Sequence, residues 1–395
     1  MTPIYPPNEK TAIFVGAHAQ YMFLFRLPVM RRLRDFGYRV VVVATPSKGF
    51  NINDFDRTGI EFVPWTLQPA GMNPLADLSH IRALWRILKA YQPDILFVHT
   101  IKSVIYALPL ARLIGVKRRV CMIPGLGFAF IDGRGFSRRL ARVFARVSYR
   151  FALSWADLAI LQNPDDLEAL RRSGSIPAGT RTALVNGSGV DMKKFRAMPI
   201  PGGPPVFLMV SRLLRDKGVL EYVAAARAVK AVRPDVRFVL VGGTDYNYAS
   251  ITDEDVAKWV SEGVVEARGH VADPFAEFAA CHVFVLPSYR EGTPRTNLEA
   301  MAVGRAIITT DAPGCRSTVV DRQNGLLVPV ADADALAAAM LDLADDPVCV
   351  RKMGAAGHAR CARLYELDIV ADATTALILG YDGLTEPASR LAEAR

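Results

Sequence analysis

Short apolar runs, each too brief for an ordinary helix and apolar on both faces, recur along this chain with helix-length segments between them. AIFVG at 12–16, VVVVA at 40–44, EFVPW at 61–65, DILFVHT at 94–100 and ADLAILQ at 156–162 form the first series. Strands buried on both faces belong to parallel sheets covered by helices, so this alternation predicts a doubly wound α/β domain. Helical periodicity over 23–36, ended by Gly37, and a helix near 78–90 supply the intervening layers. The series restarts after AMPIPGGPP at 197–205, with VFLMV at 206–210, FVLVGG at 238–243 and AIITT at 306–310. Crowded proline and glycine mark a boundary. The expected organisation is a first domain over 1–200, a second over 201–375, and a tail over 376–395 that returns to the first.

The 395 residues suit two domains, and a hydrophobic content of 51% against 22% charged residues provides ample core. Five scattered cysteines (121, 281, 315, 349, 361) without a C-x-x-C argue for reduced thiols and against structural zinc. The first ten residues carry no secretory pattern, and no apolar run is long enough to span a bilayer. Charge is unevenly divided. Residues 1–200 hold 28 Lys and Arg against 13 Asp and Glu, a net of +15, whereas 201–395 hold 20 against 26, a net of −6. The first half therefore expects an acidic partner, nucleic acid or an anionic membrane. Without a zinc finger, an RNP-like run or basic-zipper heptads, nucleic acid is the weaker reading.

Residues 287–314, PSYREGTPRTNLEAMAVGRAIITTDAPG, carry the most chemistry. Glu291 stands on a turn made by Gly292, Thr293 and Pro294. Glu299 stands on the helix that this turn opens, over 296–303, and Gly304 ends it. Free N–H groups at a helix start attract phosphate or sugar oxygens, and a carboxylate accepts two hydroxyl hydrogens at once. Upstream, Arg212 and Lys217 lie in the loop between strand 206–210 and the next helix, where two cations can hold a nucleotide diphosphate.

The Glu-x7-Glu pair, the Glu-Ala-Met-Ala helix and the Thr-Asp-x-Pro-Gly-Cys turn resemble the donor-binding signature of retaining glycosyltransferase family 4, as does the Asn-Gly-x-Gly-Val-Asp pattern at 186–191. The resemblance covers nearly the whole chain and implies the GT-B fold, two doubly wound Rossmann-like domains facing across a cleft. It implies a metal- and cofactor-free, retaining transfer of sugar from a nucleotide donor. Arg212 and Lys217 then neutralise the leaving diphosphate, Glu299 accepts the ribose hydroxyls, and Glu291 with the 292–294 turn holds the donor sugar. Gly16 faces the diphosphate, and the backbone at His270 and Val271 borders the base. On the acceptor side stand His18, His99, Lys102, Gly125 and Gly127. His99 and Lys102 belong to a His-Thr-x-Lys helix start similar to that of bacterial polysaccharide glycosyltransferases, with Ser103 where proline is usual.

Residues 134–156 contain no acid. Arg138, Arg142, Arg146 and Arg150 recur every four residues with Arg139 beside them, and Leu140, Val143, Phe144, Val147, Phe151 and Leu153 supply an apolar side. A basic amphipathic helix reads as a membrane-surface element; the other reading is a core helix with an arginine-rich exposed face. The resemblance and this helix together predict transfer from a UDP-N-acetylhexosamine or UDP-hexose to a polyprenyl-diphosphate-linked glycan at the cytoplasmic face of the membrane. A soluble acceptor, a nucleotide-sugar 2-epimerase and a non-catalytic nucleotide-sugar-binding scaffold are the alternatives.

Overall fold

A computed structural model describes residues 10–67, 74–126, 136–244 and 250–381, with the side chains of 74–76 and 136–142 outside the description. Strand and helix alternate in the order β1 (Thr11–His18), α1 (Ala19–Asp35), β2 (Arg39–Thr45), α2 (Asn53–Asp56), β3 (Glu61–Pro64), α3 (Pro74–Tyr91), β4 (Ile95–His99), α4 (Ile101–Ile114), β5 (Arg118–Ile123), α5 (Phe136–Leu153), β6 (Leu158–Leu161), α6 (Pro164–Arg172) and β7 (Arg181–Leu184). The second series runs β8 (Val206–Val210), α7 (Val219–Val232), β9 (Arg237–Val241), α8 (Asp253–Ser261), β10 (Glu266–Gly269), α9 (Phe275–Ala280), β11 (Val283–Leu286), α10 (Arg295–Val303), β12 (Ala306–Thr310) and β13 (Gly325–Val328). It closes with α11 (Ala333–Asp345), α12 (Pro347–Leu364) and α13 (Leu367–Leu379).

Local chemistry explains where the helices begin. Asn163 accepts from the Asp166 N–H ahead of Pro164, Thr252 and Asp255 form a reciprocal capping box, and Asp346 accepts from the Cys349 N–H ahead of Pro347. Each satisfies an N–H that the first helical turn leaves without a partner.

The chain divides into two compact units. One runs to Ser188 and takes back the chain from Val370; the other runs from Gly189 to Ile369. The break precedes the Pro/Gly-rich 197–205 segment because residues 189–200 belong to the second unit's core. Val190 and Phe195 are fully buried there, Val190 N–H bonds to the Tyr365 carbonyl, and Met198 N–H bonds to the Val303 carbonyl. Arg305, also fully buried, donates to the carbonyls of Phe278, Ala279 and Pro199, clamping that segment to α9. At the other end, α13 contributes Ala371, Leu377 and Ile378 to the first unit's core, and Arg118 of β5 donates to the carbonyls of Leu377 and Ile378.

Both sheets are parallel. In the first unit the strands lie in the order β3-β2-β1-β4-β5-β6-β7, and in the second β10-β9-β8-β11-β12-β13. Chain order reverses between β1 and β4 in one sheet and between β8 and β11 in the other. Open parallel sheets bind ligands outside the carboxyl ends of the strands at such reversals. Arg212 and Lys217 follow β8, and Glu291 follows β11. Gly16 and His18 close β1, and His99 closes β4.

Candidate functional site

In the second unit the loops leaving β8 and β11 meet backbone to backbone. Gly218 caps α7 with φ +75°, and a Cβ there would lie 2.1 Å from the Pro287 carbonyl oxygen. Only glycine meets both demands. The contact brings the short 3-10 turn Arg215–Lys217 against the start of the Glu291 loop. Lys217 Nζ lies 2.6 Å from Glu291 Oε1, and the fully buried Ser288 donates its hydroxyl to the same oxygen at 2.9 Å. Behind the turn, Gly314 sits at φ +80°, where a Cβ would meet the carbonyl oxygens of Glu291 at 2.1 Å and Gly292 at 2.5 Å. The Glu291 N–H bonds to the Pro313 carbonyl at 3.0 Å. Arg212 is exposed at the mouth of the β8 loop.

The helix α10 begins at Arg295, one residue earlier than the sequence suggests, with the buried Pro294 as its cap and Gly304 ending it at φ +84°. Glu299 points inward from it with 6% of its surface exposed. Burial raises its carboxyl above the ordinary carboxylate range, opposed by Arg295, whose Nε donates to Oε1 at 2.9 Å. A cavity of about 260 Å³ opens at the carboxyl ends of β9 and β10, lined among others by Gly242, Gly243, Thr244, Asp253 and His270. Thr244 Oγ donates to Asp253 at 2.9 Å on its rim. His270 lines this cavity. Val271 is not among its walls; its side chain packs half-buried on the core.

The first unit departs from the sequence reading in several places. No loop separates β1 from α1: the strand runs to His18, which caps the helix, so Gly16 and His18 are strand residues. Gly16 is small for packing, since a Cβ would lie 2.4 Å from Met22 Sδ. His99 is buried, 7% exposed, and meets Arg26 rather than solvent. Lys102 is committed to an ion pair with Asp77 at 2.9 Å. Gly125 lies at the end of the described segment, and Gly127 falls outside the described residues.

The helix α5 also differs. Its buried stripe is Ala145, Tyr149, Ala152 and Leu153, whereas Val143, Phe144, Val147 and Phe151 are each more than half exposed. Of the apolar residues grouped by sequence whose side chains are described, Leu153 is buried, whereas Val143, Phe144, Val147 and Phe151 face outward. Arg146 and Arg150 are exposed with them, and Arg150 donates to the Gly174 carbonyl. The side chains of Arg138, Arg139, Leu140 and Arg142 lie outside the described residues. Among the described residues, no helix is long and apolar enough to cross a membrane.

Sequence reasoning missed Ser288, Arg295, Arg26 and Asp77. Arg295 had a visible signal, four residues before Glu299 on one helical face. Ser288, three residues before Glu291, had spacing alone, and the other two meet their partners only through the tertiary fold.

Two family models match this chain, one described as Glycosyl transferase 4-like domain over residues 27–187 and one as Glycosyl transferases group 1 over residues 204–346. The chain belongs to these glycosyltransferases, and its two parallel-sheet units have the GT-B fold. Among individual relatives, it is 27% identical over 371 residues to the N,N'-diacetylbacillosaminyl-diphospho-undecaprenol alpha-1,3-N-acetylgalactosaminyltransferase of Campylobacter jejuni, covering 91% of this chain and 95% of the relative. It is 27% identical to the UDP-Gal:alpha-D-GlcNAc-diphosphoundecaprenol alpha-1,3-galactosyltransferase of Escherichia coli, covering 69% of this chain and 72% of that one. In fold it resembles the sucrose-phosphate synthase of Thermosynechococcus elongatus, with a TM-score of 0.78 at 21% identity over 95% of this chain and all of that one.

Proposed function

We propose that this glycosyltransferase moves a hexose or N-acetylhexosamine, with retention, from a UDP-sugar to a polyprenyl-diphosphate-linked glycan at the cytoplasmic face of a membrane. The observation that carries the reading is the Lys217–Glu291 contact, which joins the cation loop after β8 to the acid loop after β11 at the sheet's reversal point. Without donor, each group satisfies the other. A diphosphate draws Lys217 to its oxygens beside Arg212, and Glu291 turns an oxygen to the donor sugar hydroxyls near C3 and C4 while Ser288 keeps its bond. Charge grows on the diphosphate as the sugar leaves, so cations aimed there stabilise the transition state more than the ground state. Glu299 receives the ribose hydroxyls, and the base enters the cavity beside His270. Departing phosphate takes the acceptor's proton.

The acceptor and the donor base rest on the two bacterial relatives, whose names specify diphosphoundecaprenol-linked substrates and, for one, UDP-galactose. The outward apolar residues of α5, set among arginines in a segment without acids, suit an anionic bilayer surface. The test is nucleotide release from a panel of UDP- and GDP-sugars, with and without a membrane lipid fraction. Release from one UDP-sugar that requires lipid, and that collapses in Glu299→Ala, is the expected result. Tight nucleotide binding without turnover on any donor would reject the enzyme in favour of a binding scaffold.

A further inference from the structure

At the reversal point of the first sheet, His99 ends β4 in a position that its chemistry does not explain as packing. Val15 of β1 pairs with Val98, and His99 itself pairs with Met122 of β5, so the ring stands at the carboxyl edge between three strands. Alternation along β4 puts Ile95, Phe97 and His99 on the face covered by α1, and from α1 the buried Arg26 brings Nη2 to 3.1 Å from His99 Nε2. A guanidinium only donates, so Nε2 must accept with its lone pair. Burial, together with the Arg26 charge, lowers the ring's proton affinity well below the ordinary histidine value and keeps it neutral. A neutral ring whose Nε2 accepts carries its proton on Nδ1. That Nδ1–H is buried and meets no hydrogen-bond partner among the described residues. Next in the chain, Thr100 holds φ +79° and ψ +148°, a conformation close to glycine's preserve, and such strain gathers at working sites.

We propose that Arg26 locks His99 as the Nδ1–H tautomer and that this hydrogen holds a phosphoryl oxygen of a substrate, making His99 a fixed donor and not a general base. The inference deepens the functional reading and rests on it for the identity of the phosphate. The arginine behind the ring polarises the imidazole so that Nδ1–H donates best to an anionic oxygen. Arg26 is a positioning residue: it acts on substrate through the ring. The phosphoryl group is assigned to the diphosphate of the acceptor.

The first measurement needs no turnover. With the six histidines labelled with nitrogen-15 in the full chain, His99 is expected to show the Nδ1–H neutral pattern from pH 5.5 to 8. In Arg26→Met burial still keeps the ring neutral but the lock on its tautomer is gone, so an Nε2–H signal is expected beside the Nδ1–H one. An Nε2–H pattern, or ordinary titration in the unaltered protein, would overturn the proposal even if the enzyme is active. Kinetics then use His99→Phe, which removes the donor, and His99→Asn, whose amide N–H₂ restores a donor near Nδ1. Loss of one hydrogen bond to a charged group predicts a KM about 10- to 100-fold higher for the diphosphate-linked acceptor in His99→Phe, with most of the loss recovered in His99→Asn. An equal rise for a phosphate-free glycoside acceptor, or no change for the diphosphate-linked one, would overturn the phosphoryl assignment. Absence of transfer by the unaltered protein with every donor would instead reject the functional reading, leaving the tautomer to be judged by the nitrogen signals.

Discussion

Replacing Gly314 with alanine tests how the Glu291 turn is held. The residue sits at φ +80°, where an L side chain costs about 1–2 kcal/mol. For a unit the size of Gly189–Ile369, that predicts a melting temperature lower by about 2–8 °C. The steric effect is more specific. The new Cβ would lie 2.1 Å from the Glu291 carbonyl oxygen, where ordinary contact begins at 3.4 Å, so the turn must recoil by more than 1 Å. Because the Glu291 N–H is bonded to Pro313, the recoil strains that bond and displaces the carboxylate with its turn. A misplacement of about 1 Å at a reacting centre lowers kcat about 100-fold. Arg212 and Glu299 stand on other elements, so UDP affinity, read by calorimetry, is expected to stay within about threefold, a loss under 1 kcal/mol. Full kcat at the reduced melting temperature would refute the claim that Gly314 sets the turn, as would a loss of UDP affinity in step with kcat.

Other outcomes follow from burial and charge. Glu299 has a folded pKa raised above its unfolded value, so its contribution to stability is present at acid pH and is lost as pH rises through the folded pKa. Glu299→Gln is therefore expected to melt higher than the unaltered protein at pH 8, with the difference shrinking toward pH 4, while UDP binding weakens; a variant less stable at pH 8 would contradict the burial argument. His99 has the opposite sign: its folded pKa is depressed, so stability is full above pH 6.5 and declines below it by up to about 1.4 kcal/mol per pH unit. That slope, from denaturant titrations, is expected to disappear in His99→Phe. On α5, Phe144→Ser and Phe151→Ser each remove an outward aromatic ring and are expected to weaken binding to anionic vesicles about 10-fold or more. Unchanged sedimentation with the vesicles would return α5 to an ordinary surface helix.

Much of the architecture was legible because buried parallel strands leave an unmistakable trace. VVVVA and AIITT are buried throughout their core, and both became interior strands, each flanked by a neighbour on both sides. The Glu291–Glu299 spacing placed one acid on a turn and the other on a helix, since Gly304 and Pro294 punctuate that helix at both ends. Legibility failed where partners are distant in sequence. Lys217 looks like a phosphate ligand from its loop, but its contact with Glu291 depends on Gly218 and Pro287 touching. His99 and Lys102 share one short motif, yet β4 turns the first toward Arg26 while α4 gives the second to Asp77. In α5, the four apolar residues out of phase with the buried stripe, Val143, Phe144, Val147 and Phe151, cannot be assigned a face until Tyr149 and Ala152 are seen to take the core side.

The most direct test of the central claim is the structure of the product made from a synthetic prenyl-diphosphate-linked sugar and the UDP-sugar that the release assay selects. Mass spectrometry and proton NMR are expected to show one added sugar, still diphosphate-linked to the prenyl chain, joined with the donor's own α configuration. Nucleotide release with the acceptor mass unchanged, or a β linkage, would contradict the account.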